Sequence, residues 1–230
     1  MELRLPTPKR AAFVLFGSIL VLAALYAASR AAWHARGFEL DIYPMRLVDL
    51  NGEGNLPALF SGLQLLAASA LLACLAKAEP KERLAWGGLS LGFLFLSFDE
   101  WLGFHERASH VVKRLGLGGR GAFHFAWVIP YGLAAAGLLA VYAPFLKRLP
   151  LKTAAWYVVA GGIYVFGAVG CEMVSGGLVE AYGAQSPAMT AEILVEETLE
   201  MGGIALFISR LLARWRDVSP DFSVRLSAPR

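Results

Sequence analysis

The chain is broken into apolar runs about as long as a bilayer is thick, and nothing else in it constrains the fold as strongly. The runs are Ala11 to Ala28, Pro57 to Ala76, Leu84 to Phe98, about Phe123 to Leu146, about Ala154 to Val174, and about Thr190 to Leu212. A helical span needs roughly 20 such residues, and in lipid only helices or closed barrels satisfy their own backbone groups. Of the 230 residues, 57% are hydrophobic and 17% charged, with a mean hydropathy of +0.55. A soluble domain carries about 25% charged residues. The expected fold is therefore all-α, a polytopic membrane helix bundle of about six transmembrane helices. It forms a single domain over residues 1–216, followed by a polar, mobile tail at 217–230. The third helix is expected to continue as a polar stretch to Arg114, ahead of the breaker at Gly116-Leu-Gly-Gly119.

The first run follows Arg4, Lys9 and Arg10, but about 18 apolar residues are long for a signal peptide, so it reads as an uncleaved anchor. Fourteen of the 21 Lys and Arg residues fall in the N-terminal segment, 77–83, 147–152 and the stretch from Arg210 onward; the alternate connections hold seven. Basic residues favour the cytoplasmic side, so six spans place both termini in the cytoplasm. The net charge of +3 is spread between the runs, which gives no basic patch for nucleic acid. Usage rich in Ala, Leu and Arg fits a GC-rich bacterium, whose inner (plasma) membrane would hold the chain. Cys74 and Cys171 lie inside apolar runs near opposite faces, and no disulfide is expected between them.

An ionisable group inside a bilayer costs roughly 2.5–3.5 kcal/mol on insertion scales and points to function by default. At a rise of 1.5 Å per residue, Asp99 stands about 24 Å beyond Arg83, Glu172 about 30 Å beyond Lys152, and Glu200 about 15 Å from Arg210. Glu196 and Glu197 lie one turn further out, and His124 opens the fourth run. All fall in the outer half, whereas the inner half offers only serines such as Ser90 and Ser209. Glu192, Glu196 and Glu200 form an i, i+4, i+8 stripe, with Glu197 beside it. Stacked like charges destabilise a helix, and low dielectric worsens this unless the groups are protonated or hold a cation. On an unbroken helix, Asp99, Glu106 and His110 would also share one face.

Carboxylates with imidazoles suit zinc, iron or manganese, and metal-carrying bundles use about four acids and two histidines from facing helices. The candidate ligands are Asp99, Glu100, His105, His124, Glu172, Glu196 and Glu200, for one or two divalent ions. Glu106 or Glu197 would be the general base. The spacing of His105 and His110 is five, not the four a zinc-protease helix requires. At 49–55 the oxygen-rich stretch mimics a calcium loop, but Phe60 stands where the bidentate carboxylate is needed; it reads as a turn with Asn55 capping the next helix. Glu53, Ser61 and Gln64 could still lean over the site. Gly161, Gly162, Gly167, Gly170, Gly202 and Gly203 are expected to let helix backbones approach.

At Ser97-Phe-Asp99-Glu100-Trp-Leu-Gly-Phe-His105-Glu106 and at Glu196-Glu197-Thr-Leu-Glu200-Met201-Gly202, the chain resembles a family of bacterial multipass membrane proteins. The likeness extends through Glu-Gly-Asn-Leu-Pro at 53–57 and Gly170-Cys-Glu172. It implies that Asp99, Glu100, His105, Glu106, Glu172, Glu196, Glu197 and Glu200 belong to the family's pattern, and it supplies no reaction. It favours His105 over His110, which the helical face does not, unless Gly103 bends the helix. The alkaline-ceramidase type of membrane hydrolase is a looser comparison, since its paired C-terminal histidines are missing and His34 is expected in a loop. Two functions fit the residues: a metal-dependent membrane enzyme, hydrolase or oxidase, with a lipid-borne or small periplasmic substrate, and a cation or proton carrier. A structural or accessory role is the third. Membrane lipids are the expected surroundings, and a homo-oligomer is compatible.

Overall fold

The computed structural model describes residues 2–36, 43–219 and 223–225. Its helices are α1 (Pro8–Ala35), α2 (Tyr43–Leu47), α3 (Leu56–Ala78), α4 (Arg83–Leu102), α5 (Phe104–Arg114), α6 (Val128–Arg148), α7 (Leu151–Val165), α8 (Glu172–Tyr182) and α9 (Pro187–Val218). Short 3-10 turns lie at Pro80–Glu82 and Gly121–Phe123, and a π-helical turn, Phe166–Cys171, joins α7 to α8. Apart from one antiparallel pairing of the chain ends, Glu2–Arg4 with Ser223–Arg225, the described chain is all-α. The tail was expected to be free, yet part of it pairs, which holds both ends on one side of the bundle.

The long helices start where local chemistry lets them. Thr7, Asn55 and Ser186 cap α1, α3 and α9 by accepting from Arg10 N, Ala58 N and Met189 N, each with a proline in the first turn, the position where its missing N–H costs nothing. The Asn55 amide also donates to Asp49 O at 2.6 Å, so the oxygen-rich loop is a cap, as its sequence predicts. α1 runs seven residues past its expected end. Arg30 pairs with Asp49 at 3.2 Å and lies over the Tyr26 and Trp33 rings, contacts that hydropathy cannot register. His34 therefore sits in the last turn of α1, 3.2 Å from Thr190, and not in a loop.

Four segments are long and apolar enough to cross a membrane: Pro8–Ala35, Leu56–Ala78, Val128–Arg148 and Leu151–Tyr182. α9 is the hub, packed against α1, α3, α7 and α8, while α3 also packs along α4. Lipid tails are as apolar as leucine, so packing and interhelical bonds, not the hydrophobic effect, hold such helices together. Ser69 Oγ donates to Ser90 O at 2.8 Å and Ser90 Oγ to Ser69 O at 2.9 Å, while Ser97 Oγ donates to Gly62 O at 2.9 Å. These serines thus clasp α3 to α4. Around them lies a core of Trp86, Phe145, Tyr157, Phe207, Leu211 and Leu212, with the Trp86 and Phe145 rings edge to face at 4.8 Å.

Of the six glycines expected to admit close approach, two do so. A Cβ on Gly203 would stand 2.7 Å from Tyr164 N, and one on Gly167 2.8 Å from Glu200 Cγ. Gly161 and Gly162 face open space, and Gly170 faces the Phe166 ring of its own helix. At the basic end, Arg214 binds Glu79 at 2.6 Å and Arg148 binds Glu82 at 2.7 Å. The Arg148 hydrogen bonds hold the partly buried Glu82 carboxyl below its ordinary range.

Candidate functional site

The helix expected either to continue to Arg114 or to bend at Gly103 stops at Gly103, whose φ of 60° is left-handed, a conformation that glycine adopts without strain. The chain turns there and restarts as α5. Asp99, in the last turn of α4, then reaches forward: its Oδ1 accepts from His105 N at 2.8 Å and its Oδ2 lies 3.4 Å from His105 Nδ1. Tyr131 Oη donates to the same Oδ1 at 3.2 Å. The supposed common face of Asp99, Glu106 and His110 is therefore lost at the turn, and Glu106 and His110 are exposed. Glu53 packs its carboxylate against Gly103, close enough to Glu100 to act on its charge.

A second group forms where α8 and α9 meet. Glu172 accepts from Trp127 Nε1 at 3.1 Å. The Glu172 carboxyl lies within hydrogen-bonding reach of Glu196, and Glu196 within reach of Glu192. Ser175 Oγ donates to Glu192 Oε2, while Glu192 Oε1 is buried and has no hydrogen-bond partner among the described residues. Asp99 and Glu196 are 6% and 9% exposed. Trp127 links the two groups, since its ring also lies 5.1 Å from His105 and 5.2 Å from Tyr131.

Glu197 and Glu200 stand near enough to Glu100 and Glu172 for their charges to interact, with Tyr164 beside them. The π-helical turn brings Gly167 against the backbone and side chain of Glu200 and against Glu196 O. Such turns carry an extra residue per turn and recur at functional sites. Among the described residues no Lys or Arg forms an ion pair with Asp99, Glu100, Glu172, Glu192, Glu196, Glu197 or Glu200; the arginine pairs use Asp49, Glu79 and Glu82.

His124, expected to open the fourth helix, precedes α6 by four residues and lies apart from these acids. Its Nδ1 is 3.4 Å from Glu180 Oε1, which also accepts from Gly121 N at 2.8 Å. The candidate set thus separates into Asp99 with His105, Glu172 with Glu196, Glu100 with Glu197 and Glu200, and His124 on its own. Among the described residues no three His, Cys, Asp or Glu side chains are drawn together tightly enough to hold an ion as they stand. Sequence reasoning did not find Trp127, Tyr131, Ser175 or Glu180. Glu192 was visible in the acidic stripe but not chosen, and only its contact with Ser175 brings it in. Gln64 is buried, and among the described residues neither of its side-chain polar atoms has a hydrogen-bond partner.

The His105–Asp99 contact has a measurable sign. Burial alone would push the imidazole down, but the hydrogen bond and charge of Asp99, with Glu100 and Glu106 behind it, raise it above its ordinary 6.5. A raised folded value stabilises fully below the unfolded value, about 6.5, and is lost as pH rises through the folded one. Chelator-treated protein in detergent should therefore melt at a lower temperature as pH climbs above about 6.5. His105→Asn should shrink that drop. An equal drop in the variant would assign it to other groups.

No curated protein and no solved structure matches the chain. A family does: the match runs over residues 14–215, from the first long helix nearly to the end of the last, and the chain belongs to the family described as Domain of unknown function (DUF8692).

Proposed function

We propose that this chain is a six-span protein of the inner (plasma) membrane, with both termini cytoplasmic, whose outer half binds one or two divalent metal ions for a metal-dependent reaction. The four apolar segments supply four spans. α4 and α9, long enough at 20 and 32 residues but carrying the acids, supply the others. The paired chain ends fit an even number of crossings, and the basic connections fit a cytoplasmic inner face.

The observation that carries the metal reading is a set of seven acids that, among the described residues, have no Lys or Arg ion-pair partner, with Glu192 Oε1 lacking a hydrogen bond. Buried anions need a compensating cation or must be protonated. The donor set fits zinc, iron or manganese, since oxygens dominate and His105 adds one nitrogen. Glu172, Glu196, Glu192, Asp99 and His105 would hold the ion, with Glu100 and Glu200 completing the shell and His124 left to Glu180. A bound ion supplies Lewis acidity or a water of lowered pKa. Trp127 fixes the Glu172 carboxylate, Tyr131 and His105 fix Asp99, and Glu197 is better placed than the exposed Glu106 to accept a proton. The substrate is lipid-borne or small and periplasmic, and the reaction hydrolytic or oxidative.

A second reading, a cation or proton carrier, is favoured by the Glu172–Glu196–Glu192 sequence of carboxyls in reach of one another, which suits shared protons. Elemental analysis of detergent-purified protein separates the two. Near-stoichiometric zinc, iron or manganese that falls severalfold or more in Glu172→Ala is the expected result. Metal-free protein that carries ions into liposomes would replace it with the carrier, and metal-free protein without flux would leave an accessory role.

A further inference from the structure

α5 and the connection after it carry Arg107, Lys113, Arg114 and Arg120, all exposed. Among the described residues none of the four forms an ion pair. They are four of the seven basic residues outside the cytoplasmic segments, on the side of a membrane where Lys and Arg are disfavoured. Val111, Leu115 and Leu117 are exposed beside them, whereas Ser109 is turned inward, accepting from Ala126 N at 3.0 Å. The connection is bound to its own helix and to the next turn, with Leu117 N donating to Val112 O at 3.2 Å and Gly119 N to Phe123 O at 2.6 Å. The Arg107 guanidinium is steadied 5.7 Å over the Phe104 ring. Glu106 and His110 share the exposed face and Glu180 stands near Arg120, so four cations face two carboxylates and the balance stays positive.

We propose that α5 and the 115–120 connection form a docking surface for the anionic headgroup of an outer-leaflet phospholipid. Unpaired cations interleaved with exposed apolar side chains on a short amphipathic helix match an interfacial lipid: the cations meet phosphate, and the apolar groups meet glycerol and acyl carbons. Free phosphate would use the first and leave the second in water. His105 reaches Asp99 from the first turn of the same helix, so a bound headgroup lies beside the acidic site. This narrows the substrate class of the proposed function to anionic lipids and rests on that reading's orientation of α5.

The test uses the full chain in detergent, stripped of metal by chelator, so that its outcome does not depend on the metal site. Binding of dihexanoylphosphatidylglycerol, dihexanoylphosphatidylcholine and inorganic phosphate is compared. Phosphatidylglycerol should bind at least about tenfold more tightly than the other two. Arg107→Gln/Lys113→Gln/Arg114→Gln/Arg120→Gln should abolish that preference, and Arg107→Lys/Arg114→Lys/Arg120→Lys should keep it. Equal binding of the two lipids, a preference unchanged in the glutamine variant, or phosphate binding as tightly as phosphatidylglycerol overturns the proposal. If the glutamine variant does not fold, the three-ligand comparison on the unaltered chain decides.

Discussion

Glu196→Gln is expected to make the metal-free protein more stable while emptying it of metal. Glu196 is 9% exposed, with the carboxyls of Glu172 and Glu192 in hydrogen-bonding reach on either side. An ionised acid at this depth costs roughly 2.5–3.5 kcal/mol on insertion scales. Glutamine keeps the shape and a hydrogen-bonding oxygen but removes the charge, so the gain is bounded by about that amount and shrinks by whatever fraction of the carboxyl is already protonated. The cost falls on the ion. Even changes one shell out from a metal cost about 10–100-fold in affinity, and losing a direct carboxylate donor costs more. Thermal unfolding of chelator-treated protein, run beside elemental analysis, reads both halves. A variant that is less stable without metal and equally loaded with it would remove Glu196 from the site. Opposed effects of this kind are the usual mark of a functional group held against stability.

Gly103→Ala is the second large effect. At φ 60° an L-residue costs about 1–2 kcal/mol, and the new Cβ would stand 2.5 Å from Glu53 Oε1. The Glu53 carboxylate is the end of a flexible side chain and can swing aside, so the backbone strain is the larger cost. The turn also sets where His105 meets Asp99, so relieving the strain by extending α4 would carry His105 away from both Asp99 oxygens. Alanine should lower the melting temperature and reduce bound metal together. Gly103→Asn, a residue that tolerates the left-handed region, should recover most of the stability. An alanine variant with unchanged melting and metal content would mean that α4 can run on without disturbing the site.

Those two positions show what could be read from residues alone. The acidic stripe on α9 was legible because its i, i+4, i+8 spacing is a property of one helix, and Asn55 before Pro57 was legible because capping is local. The break at Gly103 was visible only as a condition: a glycine marks freedom, and whether that freedom is used depends on Asp99 finding the His105 backbone. The π-helical turn left no trace, since one extra residue in a run of Phe, Gly, Ala and Val alters neither hydropathy nor composition. Pairings across helices were the least legible. His124 was grouped with the acids because both lie at the outer end, yet Glu180 holds it; Ser175, a small polar residue like many others, acquires a role only by meeting Glu192.

The order in which the chain is made gives the central place of α9 a further meaning. A polypeptide enters the membrane from its N-terminus, so α1, α3, α7 and α8 are all present before Pro187 leaves the ribosome. Of these, α1 and α7 lack their main neighbour until then. On the proposed six-span reading, the most acidic segment, the one lipid tolerates least, thus arrives after the helices it packs against. A chain stopped short would be a set of spokes without an axle, the surfaces that meet α9 left uncovered.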